Sequence, residues 1–336
     1  MRSLTKRALS AEQLTAMLRE SAGLGCSVEA ELTDGWFNAA YRVRLDDGRP
    51  AVVKIAPPPD AVVLRYERGI MATEVMAHRR MAALGGIPLP ELLYAAPEFM
   101  ALSVLPGTPW DKAADRIPAD RQAPLRRELG RIVARLHTLA PEDGRYGYPA
   151  PEAGLSAADW PTAFGAMVDA LLEEAGHRRT PLGVASEEIR ALVAAGADVL
   201  AEVTEPRLVH FDLWPGNVFV ADDGSAVTGL IDHERAFWGD PSAELVSLAL
   251  GGDTGPGSDL VAGYREAGGV LDFGPSTLHR LALYRVYLGL ILVVECGPRG
   301  YPADHADHVR DVLGRWVAEL RAVRRDQAGP AWESSS

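Results

Sequence analysis

Residues 208–220 read LVHFDLWPGNVFV and form the most informative stretch of the sequence. It places His210, Asp212 and Asn217 in the spacing H-x-D-x-x-x-x-N. Pro215-Gly216 stands between the last two of these residues, and both residue types are typical of turns. We therefore expect a loop that turns back, so that the side chains of Asp212 and Asn217 face one cleft.

Two short apolar segments follow this loop. Residues 218–220 and 227–231 flank Asp222-Asp223-Gly224, a composition that favours a hairpin turn. The second segment is apolar up to Asp232, so it predicts a buried strand that carries an acid at its end. The strand therefore presents Asp232 at its tip.

Two carboxylates and an amide in this order fit phosphoryl transfer. Such a site needs one carboxylate that accepts the proton of the attacking hydroxyl, and we assign Asp212 as this catalytic residue. Magnesium neutralises the phosphates and prefers hard oxygen ligands, usually one or two carboxylates with the phosphates themselves. We assign Asn217 and Asp232 as its ligands. The alternative is a buried polar network that caps strand ends without catalysis.

The chain before Leu105 predicts a small antiparallel sheet with a helix. Strands are expected where apolar and polar residues alternate, and helices where apolar residues recur every three or four positions. The predicted elements are a helix that begins after Ser10 and ends at Gly23, three strands between residues 28 and 55, a helix at 66–84, and strands at 91–95 and 99–104.

Residues 105–109, LPGTP, are dense in turn-forming residues, and helical periodicity dominates beyond them. We place the boundary between two lobes here, with an N-terminal lobe at 1–104 and a C-terminal lobe at 105–328 that contains the assigned catalytic and metal-binding residues. The polar tail at 329–336 is expected to fray. Helices are predicted at 121–139, 161–174, 186–203, 241–250, 277–294 and 303–325.

The composition excludes several classes of protein. Apolar residues make up 47% of the 336 residues, which is typical of a folded globular chain. The net formal charge of −12 argues against nucleic-acid and anionic-membrane partners. The two cysteines, Cys26 and Cys296, predict neither a disulfide framework nor a cysteine-rich zinc site, and we expect both in the core of a cytoplasmic protein. We expect neither a signal peptide nor a spanning helix.

Three motifs in this order resemble the aminoglycoside phosphotransferase and choline kinase family, small-molecule kinases similar in architecture to protein kinases. The motifs are HFDLWPGN at 210–217, IDHERA at 231–236 and GDP at 239–241. The resemblance covers about residues 34–250 and is weak at 111–207. It implies an α+β, protein-kinase-like fold of two lobes, in which a small antiparallel β-sheet and one helix form the N-lobe and a larger, mainly helical C-lobe follows.

The resemblance also implies nucleotide-binding residues in the first lobe. The nucleotide loop corresponds to residues 34–41 and includes Gly35 and Asn38, and the phosphate-binding lysine corresponds to Lys54 in VVKI. Its helix partner corresponds to Glu74, although Glu67 lies near the start of the same predicted helix. The hinge at 100–104 contains Ser103 where many relatives carry an acid, so the preference for ATP or GTP stays open. Mg²⁺ is the implied metal.

Two further departures from the family pattern concern the loops. Phe211 stands where glycine is usual, and we expect the backbone to tolerate it. The nucleotide loop has one glycine, so phosphate contacts are expected to rely on Asn38 as well as on backbone N–H groups.

Other polar residues have a structural interpretation. His210 is expected to orient the loop, and Asp240 to cap the helix that begins at Pro241. Asp304, His305, Asp307, His308 and Asp311 could bind a metal, but solvated helix charges are the commoner case. Among the aromatic residues, Trp214 lies within the catalytic loop and is the best candidate for a substrate contact.

The sequence thus predicts a monomeric or homodimeric kinase that phosphorylates a hydroxyl of a small molecule. An antibiotic of aminoglycoside, peptide or nucleoside type is the first hypothesis, because acids of the second lobe could pair with its ammonium groups. These acids are Asp169, Glu173, Glu174, Asp253, Asp259 and Glu295. A metabolic kinase for ketosamines or choline is the second, because the Asp212-Leu213-Trp214 loop also resembles ketosamine kinases. A silent binding module is the third.

Overall fold

The computed structural model describes residues 5–33, 35 and 37–328. Asp34 and Trp36 of the nucleotide loop and the tail at 329–336, which we expected to fray, lie outside the described residues. The first lobe begins with helix α1 (Ala11–Ala22), which Ser10 and Gln13 cap reciprocally and Gly23 ends in a left-handed conformation. The predicted start after Ser10 and end at Gly23 are therefore confirmed.

A five-stranded antiparallel sheet forms the rest of the first lobe together with one helix. The strand order is β1-β2-β3-β5-β4, with strands at Cys26–Leu32, Ala39–Leu45, Pro50–Ile55, Leu92–Ala95 and Phe99–Ser103, numbered in chain order. Helix α2 (Ile70–Leu84) packs against β4 and β5. All five predicted strands are present because each predicted run alternates or is bounded by turn residues.

The predicted start of α2 at Tyr66 is wrong. Gly69 has a φ of 70°, which interrupts the helical path, so Arg65–Glu67 form a separate 3₁₀ turn and α2 begins at Ile70. This break directs Leu64, Tyr66 and Ile70 into the large core of the second lobe. The segment that precedes α2 thereby joins the two lobes.

The second lobe is mainly helical, as predicted. Its elements are β6 (Thr108–Pro109), α3 (Trp110–Ala113), α4 (Ala119–Leu136), β7 (Tyr146–Gly147), β8 (Ser156–Ala157), α5 (Trp160–Arg178), α6 (Ser186–Ala194), α7 (Ala197–Ala201), β9 (Arg207–Val209), β10 (Val218–Val220), β11 (Val227–Leu230), β12 (Phe237–Gly239), α8 (Glu244–Leu248), α9 (Asp259–Glu266), α10 (Pro275–Val294), α11 (Cys296–Arg299) and α12 (Ala303–Ala328). The two-lobe α+β fold is confirmed.

Three helix predictions differ from the structure. The helix expected at 186–203 is two helices, α6 and α7, separated at Ala195 and Gly196, and a Cβ on Gly196 would lie 2.7 Å from the side chain of Leu283. The helix expected at 241–250 is a short α8 between 3₁₀ turns. Helix α9 was not predicted; it packs on α4 so closely that a Cβ on Gly130 would lie 2.0 Å from the Leu260 carbonyl oxygen.

The core of the second lobe surrounds α10. Fourteen of its twenty residues are buried, and the segment Pro275–Arg299 is long and apolar enough to cross a membrane by length and composition alone. In this fold, however, 83% of its most apolar window is buried inside the protein, as in the core helix of a globular domain. Cys26 and Cys296 are buried and unpaired, so both are core residues as expected.

Candidate active site

The 210–217 loop begins at a carboxylate that belongs to another element. Glu244 of α8 is fully buried, and its two carboxylate oxygens accept the backbone N–H groups of His210 at 2.6 Å and Phe211 at 2.9 Å. Burial alone would raise the pKa of Glu244, but the side chains of His137 and His210 and the His210 N–H hold it below its ordinary value. The ionised carboxylate thus fixes the backbone at the start of the loop.

Phe211 occupies the position where the family pattern has glycine, and its backbone conformation shows why glycine is usual there. Its φ is 61°, in the left-handed region that favours glycine. The side chain is fully buried and packs on the rings of Phe237 and Tyr287. Aromatic packing and the Glu244 carboxylate therefore hold a conformation that phenylalanine alone disfavours.

Asp212 and Asn217 lie side by side at one cleft, as the turn at Pro215-Gly216 predicted. The Asn217 side-chain N–H₂ donates to the Asp212 backbone oxygen at 2.9 Å and to its Oδ2 at 3.1 Å. Burial raises the pKa of the Asp212 carboxyl, although Arg235 and His210 oppose that shift. With its amide nitrogen engaged in this way, Asn217 has its Oδ1 available for a cation.

Asp232 lies at the end of the predicted hairpin, in a left-handed conformation with φ 62°. Its Oδ1 is 2.5 Å from the Nζ of Lys54, and the same Nζ is 2.6 Å from Glu74 Oε1. Burial disfavours the charge on Lys54, but the nearby acids outweigh it and hold its pKa above the ordinary value. The first lobe therefore presents an ionised lysine to the acid at the end of the hairpin.

Glu74, and not Glu67, is the acid that reaches Lys54. Glu67 instead pairs with Arg299 at 2.7 Å. Because Gly69 separates the 3₁₀ turn from α2, the two glutamates do not share one helix face. The structure thus agrees with the assignment of Glu74 by resemblance.

The residues predicted to bind nucleotide in the loop and the hinge make different contacts. Gly35 is exposed, and a Cβ there would meet nothing within 4 Å. Asn38 is buried and donates to Glu234 Oε2 at 2.8 Å, which leaves its Oδ1 without a partner among the described residues. The Ser103 hydroxyl accepts the Glu91 N–H at 2.8 Å, so it serves the sheet. The side chains of Asn38 and Ser103 are therefore already engaged.

Three histidines cluster behind the cleft. His210 Nδ1 accepts the Asp212 N–H at 3.3 Å, and its Nε2 lies 2.9 Å from His233 Nδ1 and 3.1 Å from the Ile231 oxygen. The His78 ring lies 5.5 Å from the ring of His233. Burial lowers the pKa of His233 well below its ordinary value. These contacts agree with the orienting role expected of His210.

The oxygen atoms at the cleft suit a magnesium ion. Asn217 offers Oδ1, Asp232 offers the oxygen that Lys54 does not hold, and Glu74 Oε2 has no hydrogen-bond partner among the described residues. Hard oxygens of this kind, few in number, leave positions for phosphates and water. No group of three His, Cys, Asp or Glu suited to a metal is found in the described part of the chain, the 304–311 stretch included.

Asp240 caps the turn that follows it, as predicted. Its Oδ1 accepts the Ser242 N–H at 2.9 Å, while its Oδ2 is shared by Arg280 and the Tyr284 hydroxyl. Trp214 is 39% exposed at the catalytic loop. The other aromatic residues considered as pocket residues are buried in the core, namely Trp110, Trp160, Trp238, Tyr284 and Tyr287.

Sequence reasoning assigned no role to three charged residues around this cleft, Glu234, Arg235 and Glu244, and it proposed Glu295 only as a substrate-attracting acid. Glu234 and Arg235 lie next to Asp232, and burial with the charges of Asp232 and Glu74 raises the pKa of Glu234 to about 8. Glu244 and Glu295 each stand in or at the end of an otherwise apolar helical stretch. A lone acid in such a stretch is the feature that could have identified both as buried and partnered.

Most of the acids proposed to attract a cationic substrate already have basic partners. Asp169, Glu174 and Asp259 pair with Arg190, Arg178 and Arg127 at 2.8 to 3.0 Å. Glu173 lies 3.7 Å from Arg65, and Glu295 is buried between Arg235 and Arg299. Asp253 binds the Gly255 N–H. The charge basis for the antibiotic hypothesis is therefore weaker than the sequence suggested.

Comparisons with known proteins agree with this geometry. Residues 29–284 match the model of the Phosphotransferase enzyme family, APH. A protein of Staphylococcus aureus (strain NCTC 8325 / PS 47) named a probable ketoamine kinase is 27% identical over 184 residues, which is 51% of this chain. The matched region spans 60% of the length of that relative.

Solved structures share the fold over nearly the whole chain. A protein of Thermobifida fusca YX-ER1 assigned as a fructosamine-3-kinase superposes with a TM-score of 0.66 at 22% identity, covering 92% of this chain and 100% of that one. A thermostable mutant of aminoglycoside phosphotransferase APH(4)-Ia, in complex with ADP and hygromycin B, gives 0.59 at 20% identity, covering 91% and 98%. Both likenesses establish a common protein-kinase-like fold.

Proposed function

Because this chain belongs to the phosphotransferase enzyme family, we propose that it transfers the γ-phosphoryl group of ATP to a hydroxyl of a small molecule. The observation that carries the proposal is the convergence of Asp212, Asn217, Asp232 and Lys54 from both lobes on one cleft. In the silent binding module considered from the sequence, at least one of these side chains would be expected to be lost.

Each side chain has a defined part in this proposal. Lys54 holds the α- and β-phosphates while Glu74 orients its ammonium group. Asn217 and Asp232 would hold magnesium, which supplies charge neutralisation at the phosphates when bound. Asp232 would hold the metal through the carboxylate oxygen that Lys54 does not contact.

Asp212 is the proposed base. Its carboxylate orients the acceptor hydroxyl and takes the proton as the new oxygen–phosphorus bond forms and the bond to the leaving ADP breaks. The amide of Asn217 holds one oxygen of Asp212, so the other faces the acceptor or Arg235. The products are a phosphorylated acceptor, ADP and one proton.

For the acceptor we propose a ketosamine, an amine that carries a 1-deoxyketose. Three observations support this choice: the Asp212-Leu213-Trp214 loop that resembles ketosamine kinases, the similarity to a probable ketoamine kinase, and the exposed Trp214 ring beside Asp212. An aromatic face at this place could lie against a sugar ring, with a single cationic nitrogen over it.

An antibiotic acceptor is the second candidate. The observation in its favour is the shared fold of aminoglycoside and macrolide phosphotransferases along almost the whole chain. The paired state of most second-lobe acids argues against a highly cationic aminoglycoside, so a macrolide or another weakly charged molecule fits this candidate better.

The test is turnover of the purified chain with magnesium and either ATP or GTP, followed by product mass. The acceptor panel contains ketosamines, choline, aminoglycosides, macrolides and nucleoside and peptide antibiotics. Phosphorylation of ketosamines alone supports the proposal, and phosphorylation of one antibiotic class moves the chain to the second candidate. Nucleotide binding without transfer to any acceptor contradicts both.

A further inference from the structure

A chain of buried charges runs from Asp212 away from the cleft. Arg235 lies 3.4 Å from Asp212 Oδ1 and 2.9 Å from Glu295 Oε2. The same Glu295 oxygen is 3.0 Å from Arg299, and Arg299 is 2.7 Å from Glu67 Oε1. Acidic and basic groups therefore alternate over five side chains that come from four separate parts of the sequence.

The far end of this chain of charges touches two segments of the first lobe, namely the predicted nucleotide loop and the connection between β3 and α2. The Arg299 guanidinium lies over the Phe37 ring, 5.2 Å from its centroid, and Phe37 precedes Asn38 in the nucleotide loop. Glu67 accepts the Leu64 N–H at 2.6 Å, which fixes the connection between β3 and α2. Arg299 thus contacts both first-lobe segments while its other partner, Glu295, faces the catalytic loop.

The burial of this chain makes its members depend on each other. Glu67, Glu295 and Arg299 are 3 to 4% exposed, and Arg235 is 8% exposed. A buried charge that loses its partner is strongly unfavourable, so each ion holds its neighbour in place. The position of Arg235 beside Asp212 depends on Glu295, and the position of Glu295 depends in turn on Arg299.

Resting on the proposed function, we propose that Arg299 and Glu295 are positioning residues that serve different halves of the reaction. Arg299 seats the nucleotide loop through Phe37 and the connection before α2 through Glu67. Glu295 acts through Arg235 to orient the carboxylate of Asp212 toward the acceptor hydroxyl. The two meet at one oxygen of Glu295, so nucleotide binding and acceptor activation share a buried support.

The test separates nucleotide affinity from turnover in single variants. Arg299→Met is expected to weaken ATP binding at least tenfold by calorimetry and also to lower kcat, whereas Arg299→Lys restores most of both. Glu295→Gln is expected to lower kcat at least tenfold with ATP affinity within twofold of wild type, because Arg299 keeps its pair with Glu67. The matched control is Arg321→Met, which removes a half-exposed ion pair between Arg321 of α12 and Glu188 of α6. It is expected to change neither ATP affinity nor kcat.

A double variant tests the contact with the nucleotide loop. Phe37→Leu alone is expected to weaken ATP binding. In the Arg299→Met background its effect is expected to be smaller, because the contact between Phe37 and Arg299 is already absent there. Thermal melting of each variant shows whether it is folded at the assay temperature. The proposal would be overturned if folded Arg299→Met and Glu295→Gln changed ATP affinity and kcat in the same proportion. It would also be overturned if the effects of Phe37→Leu and Arg299→Met on ATP affinity were additive.

The proposed function and this inference fail in different ways. Wild-type protein that binds ATP and transfers no phosphate to any acceptor contradicts the function. ATP affinity that is equal in wild type and folded Arg299→Met contradicts the inference, whatever acceptor is found, because calorimetry needs no acceptor.

Discussion

Glu244 accepts the backbone N–H of Phe211 at 2.9 Å and thereby holds the one residue of the catalytic loop whose usual glycine is replaced. The carboxylate is fully buried, and its second oxygen accepts the His210 N–H. The left-handed backbone of Phe211 brings Asp212 into the cleft directly after this point. An acid outside the catalytic motifs therefore supports the placement of the proposed base.

Removing this charge is expected to destabilise the protein. Glu244→Gln retains the shape but turns an N–H₂ group toward one of the two backbone N–H groups, which leaves a buried donor unpaired. We expect a loss of about 2 kcal/mol in the free energy of unfolding. Denaturant unfolding measures it, and the exposed Glu319→Gln serves as the control. Equal stability of wild type and Glu244→Gln would show that the two hydrogen bonds contribute nothing net.

The same carboxylate predicts a pH dependence of stability. The pKa of Glu244 is lower in the folded protein than in the unfolded chain, so its contribution is complete above the unfolded pKa, about 4.3. As the pH falls through the folded pKa, the contribution disappears. The stability difference between wild type and Glu244→Gln is therefore expected to be constant from pH 6 to about 5 and to narrow toward about pH 3. A stability difference between wild type and Glu244→Gln that grows as the pH falls would contradict the lowered pKa of Glu244.

Phe211 allows a test of backbone strain, because the order of stability of its glycine and alanine variants is expected to be the opposite of the order at a helical position. Both Phe211→Gly and Phe211→Ala lose aromatic packing, but only glycine adopts a φ of 61° without cost. We expect Phe211→Gly to be more stable than Phe211→Ala by about 1 kcal/mol. At Phe164, which lies within α5, the order is expected to reverse because glycine disfavours a helix interior. The same order at both positions in denaturant unfolding would contradict the account of Phe211.

Much of the site was predictable because its features are local. The hairpin, the turn at Pro215-Gly216 and the alternating strands around Lys54 are all set by neighbours in the sequence, and each is present. Motif order then pointed to the convergence of Asp212, Asn217 and Asp232. The pairing of Lys54 with Glu74 came from resemblance alone, since composition left Lys54 equally compatible with a solvent-facing strand position.

The partners of the supporting groups were not predictable, because they lie far apart in the sequence. Glu244 binds the loop 34 residues before it, and Arg235 binds Glu295 60 residues after it. A lone acid in an apolar stretch indicates burial, but nothing in its own element identifies the group that it binds. The start of α2 was placed wrongly for a related reason: periodicity continues through Gly69, whereas its backbone follows the packing of Tyr66 and Ile70 on the second lobe.

Glu74 predicts a kinetic effect on nucleotide binding. Glu74→Gln removes a charged hydrogen bond to Lys54 and leaves that lysine free to remain on Asp232. We expect KM for ATP to rise about tenfold, the equivalent of one charge-assisted hydrogen bond of roughly 1.5 kcal/mol. Glu91→Gln, an exposed acid beside the sheet, is expected to leave KM for ATP unchanged. An unchanged KM for ATP in Glu74→Gln would remove Glu74 from the nucleotide site.

Phosphoryl transfer by Asp212→Asn, measured with the acceptor that the wild type uses, tests the role of Asp212 as the base most directly. The amide keeps the size of the side chain but cannot take a proton, so we expect kcat to fall by about 10² to 10⁴ while ATP affinity measured by calorimetry stays within about twofold. Full turnover by this variant would contradict the assignment of Asp212 as the base and with it the proposed mechanism.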